Sequence, residues 1–186
     1  MSALMEKILA HNQAFVAGGE YAQYETSKSP NKKLAVVSCM DTRLVELLPA
    51  AMGLKNGDIK LIKNAGPIVT HPCDSVMRSL LVAVYLLKVQ EIAVVGHYDC
   101  GMKGLAPAAV IEKMLERGVK RKDIDLFKYC GFDPESWLKG FDDDKEAVQA
   151  TVDMIRNHPL MPEDVPVYGL IIDPQTGRLD TVVVQG

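Results

Sequence analysis

The sequence lacks an apolar run approaching the roughly 20 residues that a membrane-spanning helix needs, and it lacks a block of basic residues, an internal repeat and a low-complexity tract. The first absence excludes a helical membrane span. The second argues against a nucleic-acid groove or an anionic membrane surface, because the 21 Lys and Arg residues are scattered and the formal net charge is -3. The amino end breaks its apolar residues with Glu6, Lys7 and His11, so the expectation is a soluble cytoplasmic protein without a nucleic-acid or membrane partner. Cysteine is also sparse. Four in a chain of this kind suit metal binding or burial better than a disulfide framework.

What is present suits one domain spanning residues 1–186, since 186 residues that are 48% hydrophobic can enclose a sizeable core. Residues 1–20 place Leu4, Met5, Ile8, Leu9, Phe15 and Val16 near helical spacing. That apolar stripe requires a cover, either from the same chain or from a partner subunit. Short β-branched runs follow at 34–39 (LAVVSC), 59–62 (IKLI), 91–96 (EIAVVG) and 165–172 (VPVYGLII). Strands that are apolar on both sides belong in a sheet covered on both faces. Helical patterns at 43–52 and 75–88 separate the first three, and residues 145–155 form another behind the acidic Asp142, Asp143 and Asp144, which are expected to cap it. The region 106–141 reads as short helices joined by loops. The fold class is therefore α/β, with a mostly parallel sheet of four strands flanked by helices. The turn DPQTG and the run LDTVVVQ add an antiparallel C-terminal edge strand.

Reactive side chains cluster at the carboxyl ends of two of these strands. The first strand ends in Cys39-Met40-Asp41-Thr42-Arg43 and the third in Gly96-His97-Tyr98-Asp99-Cys100-Gly101. If the two strands are neighbours, their connections leave on opposite faces and open the crevice where α/β sheets bind ligands. Two thiolates and one imidazole suit Zn²⁺, and a catalytic zinc usually keeps a fourth position open. Cys39, His97 and Cys100 meet that count. Asp41 shares a face with Cys39 in extended backbone and is a possible fourth ligand in a closed state; Arg43 can instead draw its carboxylate into a two-pronged hydrogen bond.

These motifs, with Asn64-Ala65-Gly66 between them, resemble the β-carbonic anhydrases, especially a compact bacterial and archaeal branch; the similarity runs from about Tyr21 into the terminal DPQTGRLD. The resemblance implies reversible hydration of carbon dioxide to bicarbonate and a proton, one Zn²⁺ per chain on Cys39, His97 and Cys100, an Asp41–Arg43 dyad beside it, and a homodimer or larger homo-oligomer. Lys63 departs from the Arg that many members carry before Asn-Ala-Gly, and an ammonium does not reproduce a planar fork.

Two rival functions carry different expectations. Hydrolysis of carbonyl sulfide or carbon disulfide would use the same attack in a differently shaped pocket. A structural or regulatory zinc protein would close the site with a fourth Cys or His. Cys73, beside His71, is the nearest candidate for that and reads as a free thiol. Cys130 reads as structural, His11 and His158 as surface or local polar groups, and the dispersed methionines as core filling. Asp99 is expected either to orient a ligand or to cap the next helix.

Overall fold

The structure, a computed structural model, describes residues 1–184. Five strands form one sheet in the order β2-β1-β3-β4-β5. They are β1 Leu34–Cys39, β2 Ile59–Asn64, β3 Glu91–His97, β4 Val167–Ile172 and β5 Leu179–Val183. β1 to β4 run parallel, and β5 pairs antiparallel with β4. This is the expected architecture, with the last strand ending at Val183; Gln185, included in that run, lies outside the described residues.

Alternation along the strands sorts the core into two layers. Ala35, Val37, Ile92, Val94, Val167 and Ile171 face one side, where they pack with Met77 and Leu80 of α3 (Ser75–Leu87) and with Val148, Val152 and Ile155 of α7 (Asp144–Arg156). Val36, Ala93, Val95 and Ile172 face the other, against Leu44 and Leu48 of α2 (Leu44–Ala51). The period of two places successive side chains on opposite faces, and both faces are covered, which is why these runs read as continuously apolar. On the α7 side, a Cβ added at Gly96 or Gly169 would lie 2.7 or 2.8 Å from a Val148 methyl. Their lack of a side chain lets the helix approach β3 and β4 closely.

Element ends follow local chemistry. Asp74 and Asp143 accept backbone N–H groups at the starts of α3 and α7, while Lys88 enters the left-handed region (φ 63°) and stops α3 one residue before the pattern's end. β2 runs two residues past its apolar stretch, because Lys63 and Asn64 continue the ladder opposite Ser38 and Cys39. β4 starts two residues late, at Val167, just beyond Pro166, which has no N–H to donate.

Three short helices, α4 (Pro107–Glu116), α5 (Arg121–Tyr129) and α6 (Pro134–Leu138), leave and rejoin the fold at a bridge between Lys103 and Phe141. The amino-terminal helix α1 (Ala3–Ala17) ends before Gly18 and Gly19, followed by a 3₁₀ turn at Glu20–Tyr24. It buries no residue: Leu4, Met5, Ile8, Leu9 and Val16 are exposed, while Phe15 packs beside Tyr24 of the 3₁₀ turn.

Candidate metal centre

β1 and β3 are adjacent, with Ser38 opposite Val95, so the two reactive turns emerge side by side. From β1 the chain passes through α2 on one face; from β3 it first passes Cys100 and Met102, which pack on that same α2 side, and then by way of α4 to α6 reaches α7 on the other. The carboxyl ends diverge and leave the expected crevice between them. Its cavity has a volume of about 530 Å³ and is lined by Met40, Asp41, Arg43, Ala65 and Met102, among others.

At its base the Cys39, His97 and Cys100 ligand atoms lie within 4.8 Å of one another, and all three residues are buried. The two sulfurs are 4.0 Å apart. His97 Nδ1 lies 2.9 Å from the Tyr98 carbonyl oxygen, which can only accept, so this nitrogen carries the proton and Nε2 keeps its lone pair. That Nε2 is buried and has no hydrogen-bond partner among the described residues. A buried unpaired nitrogen is costly unless something absent from the protein completes it. Two sulfurs and a free imidazole lone pair are the donor set that zinc takes, and the residues fit the ion.

Backbone donors prepare the thiols. The hydrogen bond between the two sulfurs pulls the Cys39 thiol well below its usual range, helped by His97 and by N–H groups of Gly66 and Asp41. The same bond, together with burial, pushes Cys100 up. The two opposite shifts belong to the pair, which shares one proton between its two sulfurs. Burial pushes His97 down, but the Cys39 thiolate and the Tyr98 carbonyl outweigh it and the net shift is upward. Gly66 explains the Asn-Ala-Gly turn: its φ is 76°, and an added Cβ would sit 2.8 Å from Met102 Cγ. Asn64 holds the turn by donating from Nδ2 to the Ile68 carbonyl at 2.7 Å.

Asp41 stands at the rim, Oδ2 3.8 Å from His97 Nε2. Arg43 donates to it from Nη2 to Oδ2 at 2.9 Å, from Nε to Oδ1 at 3.1 Å and from its backbone N–H to Oδ1 at 2.8 Å. These hydrogen bonds hold the Asp41 carboxyl down at about 2, against an ordinary 3.8. The folded-state value is depressed, so the contribution of this pair to stability is present above the ordinary value and is lost as pH falls through the lowered one.

Asp99 neither orients a zinc-ligand side chain nor caps a helix, contrary to both expectations. In the left-handed region (φ 55°) it turns back and grips Arg43, accepting from Nη1 at Oδ2 and from Nη2 at its carbonyl, each at 2.9 Å. Arg43 is thus clamped between two aspartates. The signal for this role is the pairing of an unpaired arginine fork with an acid in the neighbouring strand's turn; it emerges only when β1 and β3 are known to be adjacent.

Other expectations divide. Lys63 ends with a buried Nζ that has no hydrogen-bond partner among the described residues, and burial lowers its pKa against the pull of Cys39 and Asp41. His158 is not a surface group: it is buried, with Nε2 3.0 Å from the Pro72 carbonyl and Nδ1 accepting from the Leu160 N–H, and so braces the loop before α3. Cys130 is an exposed free thiol at the end of α5, outside the Cys39–His97–Cys100 group, and Cys73 is an exposed free thiol. His71 accepts from the Cys73 N–H, far from the cluster in role and exposure. Met77 and Met161 fill the core, whereas Met40 is exposed at the cavity. No helix among the described residues is long and apolar enough to cross a membrane.

Comparison with known proteins agrees with this geometry. The family model for carbonic anhydrase matches residues 34–179. The Bacillus subtilis protein YvdA, provisionally named a carbonic anhydrase, is 54% identical over 179 residues, covering 96% of this chain and 91% of its own. A carbon disulfide hydrolase of Acidithiobacillus thiooxidans is 31% identical, over 96% of this chain and 86% of its own. The crystal structure of a β-carbonic anhydrase from Trichomonas vaginalis superposes with a TM-score of 0.87 at 36% identity, covering 98% of both chains. With a sheet order, a Cys-His-Cys cluster and a family match that all coincide, the chain belongs to the β-carbonic anhydrase family.

Proposed function

We propose that this protein catalyses the reversible hydration of carbon dioxide to bicarbonate and a proton, with Cys39, His97 and Cys100 as the three protein ligands of one zinc and Asp41 and Arg43 as the dyad beside it. The observation that carries the reading is the buried, unpartnered His97 Nε2 converging with two sulfurs beneath an open cavity. A structural zinc would be closed by a fourth Cys or His, and among the described residues the converging group contains three. When bound, zinc supplies a Lewis acid that lowers the pKa of water from 15.7 to about 7.

The chain supplies orientation. Three N–H groups of Arg43 reach the Asp41 carboxylate, with Nε forked between Oδ1 at 3.1 Å and Oδ2 at 3.3 Å; a carboxylate has roughly four acceptor sites, so Oδ2, the oxygen on the His97 side, can still accept from the attacking water. Receiving that hydrogen bond fixes which lone pair points at the substrate carbon. Arg43 keeps Asp41 charged and turned aside, and Asp99 keeps Arg43 from following solvent. Held by Arg43, Asp41 would not itself take a place on the ion that Cys39, His97 and Cys100 would hold, and the cavity above those three residues stays open to water and substrate.

Carbon disulfide hydrolysis stands as the rival, because relatives with that name match at 29–31% identity, well below the 52–54% of the provisionally named carbonic anhydrases. Specificity constants for carbon dioxide, carbonyl sulfide and carbon disulfide on zinc-verified protein decide between them. Carbon dioxide is expected to be hydrated with the largest constant, and a much larger one for either sulfur compound would move the chain to the rival activity.

The same reading makes the working protein a homodimer or larger homo-oligomer in the cytoplasm. Its support is α1, whose exposed Leu4, Ile8 and Leu9 lie at helical spacing with no cover among the described residues, and the thiol ligands, which a reducing compartment preserves. Removing residues 1–17 is expected to lower the oligomer's mass in light scattering; an active monomer of about the 20.4 kDa chain mass in the intact protein would contradict it.

A further inference from the structure

We propose that Asp180, acting through Tyr98, is a positioning residue for the metal centre. The inference rests on the zinc site proposed above and adds to it a latch from the edge hairpin.

Tyr98 and Asp99 form one short turn that serves both halves of the site. The Tyr98 carbonyl holds the Nδ1–H of His97, and Asp99 holds Arg43 through its carbonyl and its carboxylate. A displacement of this turn therefore tilts the imidazole and loosens the dyad together. Two bonds fix where it lies. The Tyr98 N–H donates to the Ile172 carbonyl at 3.1 Å, extending the β3–β4 ladder by one residue. On the other side of the peptide, the Tyr98 hydroxyl donates to Asp180 Oδ2 at 2.9 Å, and Arg178 Nη2 donates to that same oxygen at 3.0 Å.

Asp180 sits in β5, opposite Ile171 of β4, so the Tyr98 side chain reaches past β4 to meet it. The ring packs on the α3–α7 side of the core as it goes. The hairpin does not need this bond for its own closure. Its turn is already fixed by Asp173, whose carboxylate accepts from the Gln175 and Thr176 N–H groups and whose carbonyl accepts from the Gly177 N–H, and its strands are paired from Gly169 to Ile172. The hydrogen bond acts on Tyr98, and through it on His97 and Arg43. Groups that orient a metal-bound histidine set its ring direction, and their loss weakens metal binding.

The test uses the full zinc-loaded chain and its Asp180→Ala, Tyr98→Phe, double and Asp180→Asn variants, with Val183→Ala as a control that weakens the same strand without touching Tyr98. Zinc release to excess chelator and the visible spectrum of the cobalt(II)-substituted protein are read beside the melting temperature. Asp180→Ala and Tyr98→Phe are each expected to speed release about threefold to tenfold and to alter the cobalt spectrum, below the roughly 10–100-fold typical of a group touching the ligand itself. The double variant should match the single ones, since both break one chain of contacts. Asp180→Asn keeps an acceptor for the Tyr98 hydroxyl and should restore both readouts. Wild-type release in the two single variants, multiplied effects in the double variant, or equally fast release in Val183→Ala at the same loss of melting temperature would each overturn the latch. An intact wild-type protein that holds no zinc would instead overturn the metal reading beneath it.

Discussion

Helices α1 and α7 have similar lengths, 15 and 13 residues, and each carries apolar side chains at helical spacing, yet they end in opposite situations. α7 buries Val148, Val152 and Ile155 against the sheet; α1 buries nothing. Periodicity identifies a stripe, and only tertiary structure tells what covers it. The cysteines divide in the same way. Cys39 and Cys100 meet at the base of the cavity, while Cys73 and Cys130 face solvent. Covered and bare positions of one residue type therefore carry different work, and each pair offers a way to break the comparison.

The largest contrast is expected among the cysteines. Cys100→Ser should lose zinc and fall to background activity, while Cys73→Ser and Cys130→Ser should keep both, the usual outcome for surface changes away from special features. Elemental analysis showing full zinc in Cys100→Ser would remove the ligand assignment. Among the helices, Ile155→Ala is expected to cost about 2–5 kcal/mol in denaturant unfolding, because a fully buried side chain leaves a cavity. Leu4→Ala, at a position 67% exposed, should stay within about 0.5 kcal/mol in the dissociated chain. Equal losses at the two positions would show that α1 is covered by its own chain.

A smaller effect is expected in the dyad. Arg43→Ala should retain zinc and lose about 10–100-fold in kcat, and Arg43→Lys should recover little, since a point charge cannot grip Asp41 and Asp99 in a fork. Wild-type turnover in Arg43→Ala would remove Asp41 orientation from the mechanism. The smallest signal is a proton count. In the metal-free protein Cys39 is shifted down and Cys100 up, so the pair keeps one thiol proton between its two sulfurs. Zinc uptake must expel that proton, and any on His97, giving about one proton or more per ion by indicator dye and an affinity that rises with pH. Uptake without proton release would contradict the shared proton.

Much of this was legible in the sequence because strand and site share one signal. LAVVSC is β1 from end to end and closes on Cys39, and EIAVVG leads directly into His97, so locating the strands located the candidate ligands. Burial on both faces made those runs apolar throughout, and the strand–helix alternation dictated a parallel sheet. Contacts that span the sheet were not legible. Asp99 meets Arg43 across 56 residues and His158 meets Pro72 across 86, and neither partner imposes a pattern on the other's neighbourhood. Tyr98 and Asp180, 82 residues apart, share that invisibility. Lys63 shows a further limit: its place beside Asn-Ala-Gly is plain, but the burial of its ammonium follows from the ladder running past the apolar stretch of β2.

The central claim is tested most directly by stopped-flow carbon dioxide hydration, with zinc content measured on the same sample and Cys39→Ser run beside it. The account predicts hydration far above buffer for the zinc-loaded protein and none above buffer for the variant. A fully zinc-loaded protein that leaves the buffer rate unchanged, or a zinc-free Cys39→Ser variant that hydrates carbon dioxide as fast, would contradict it.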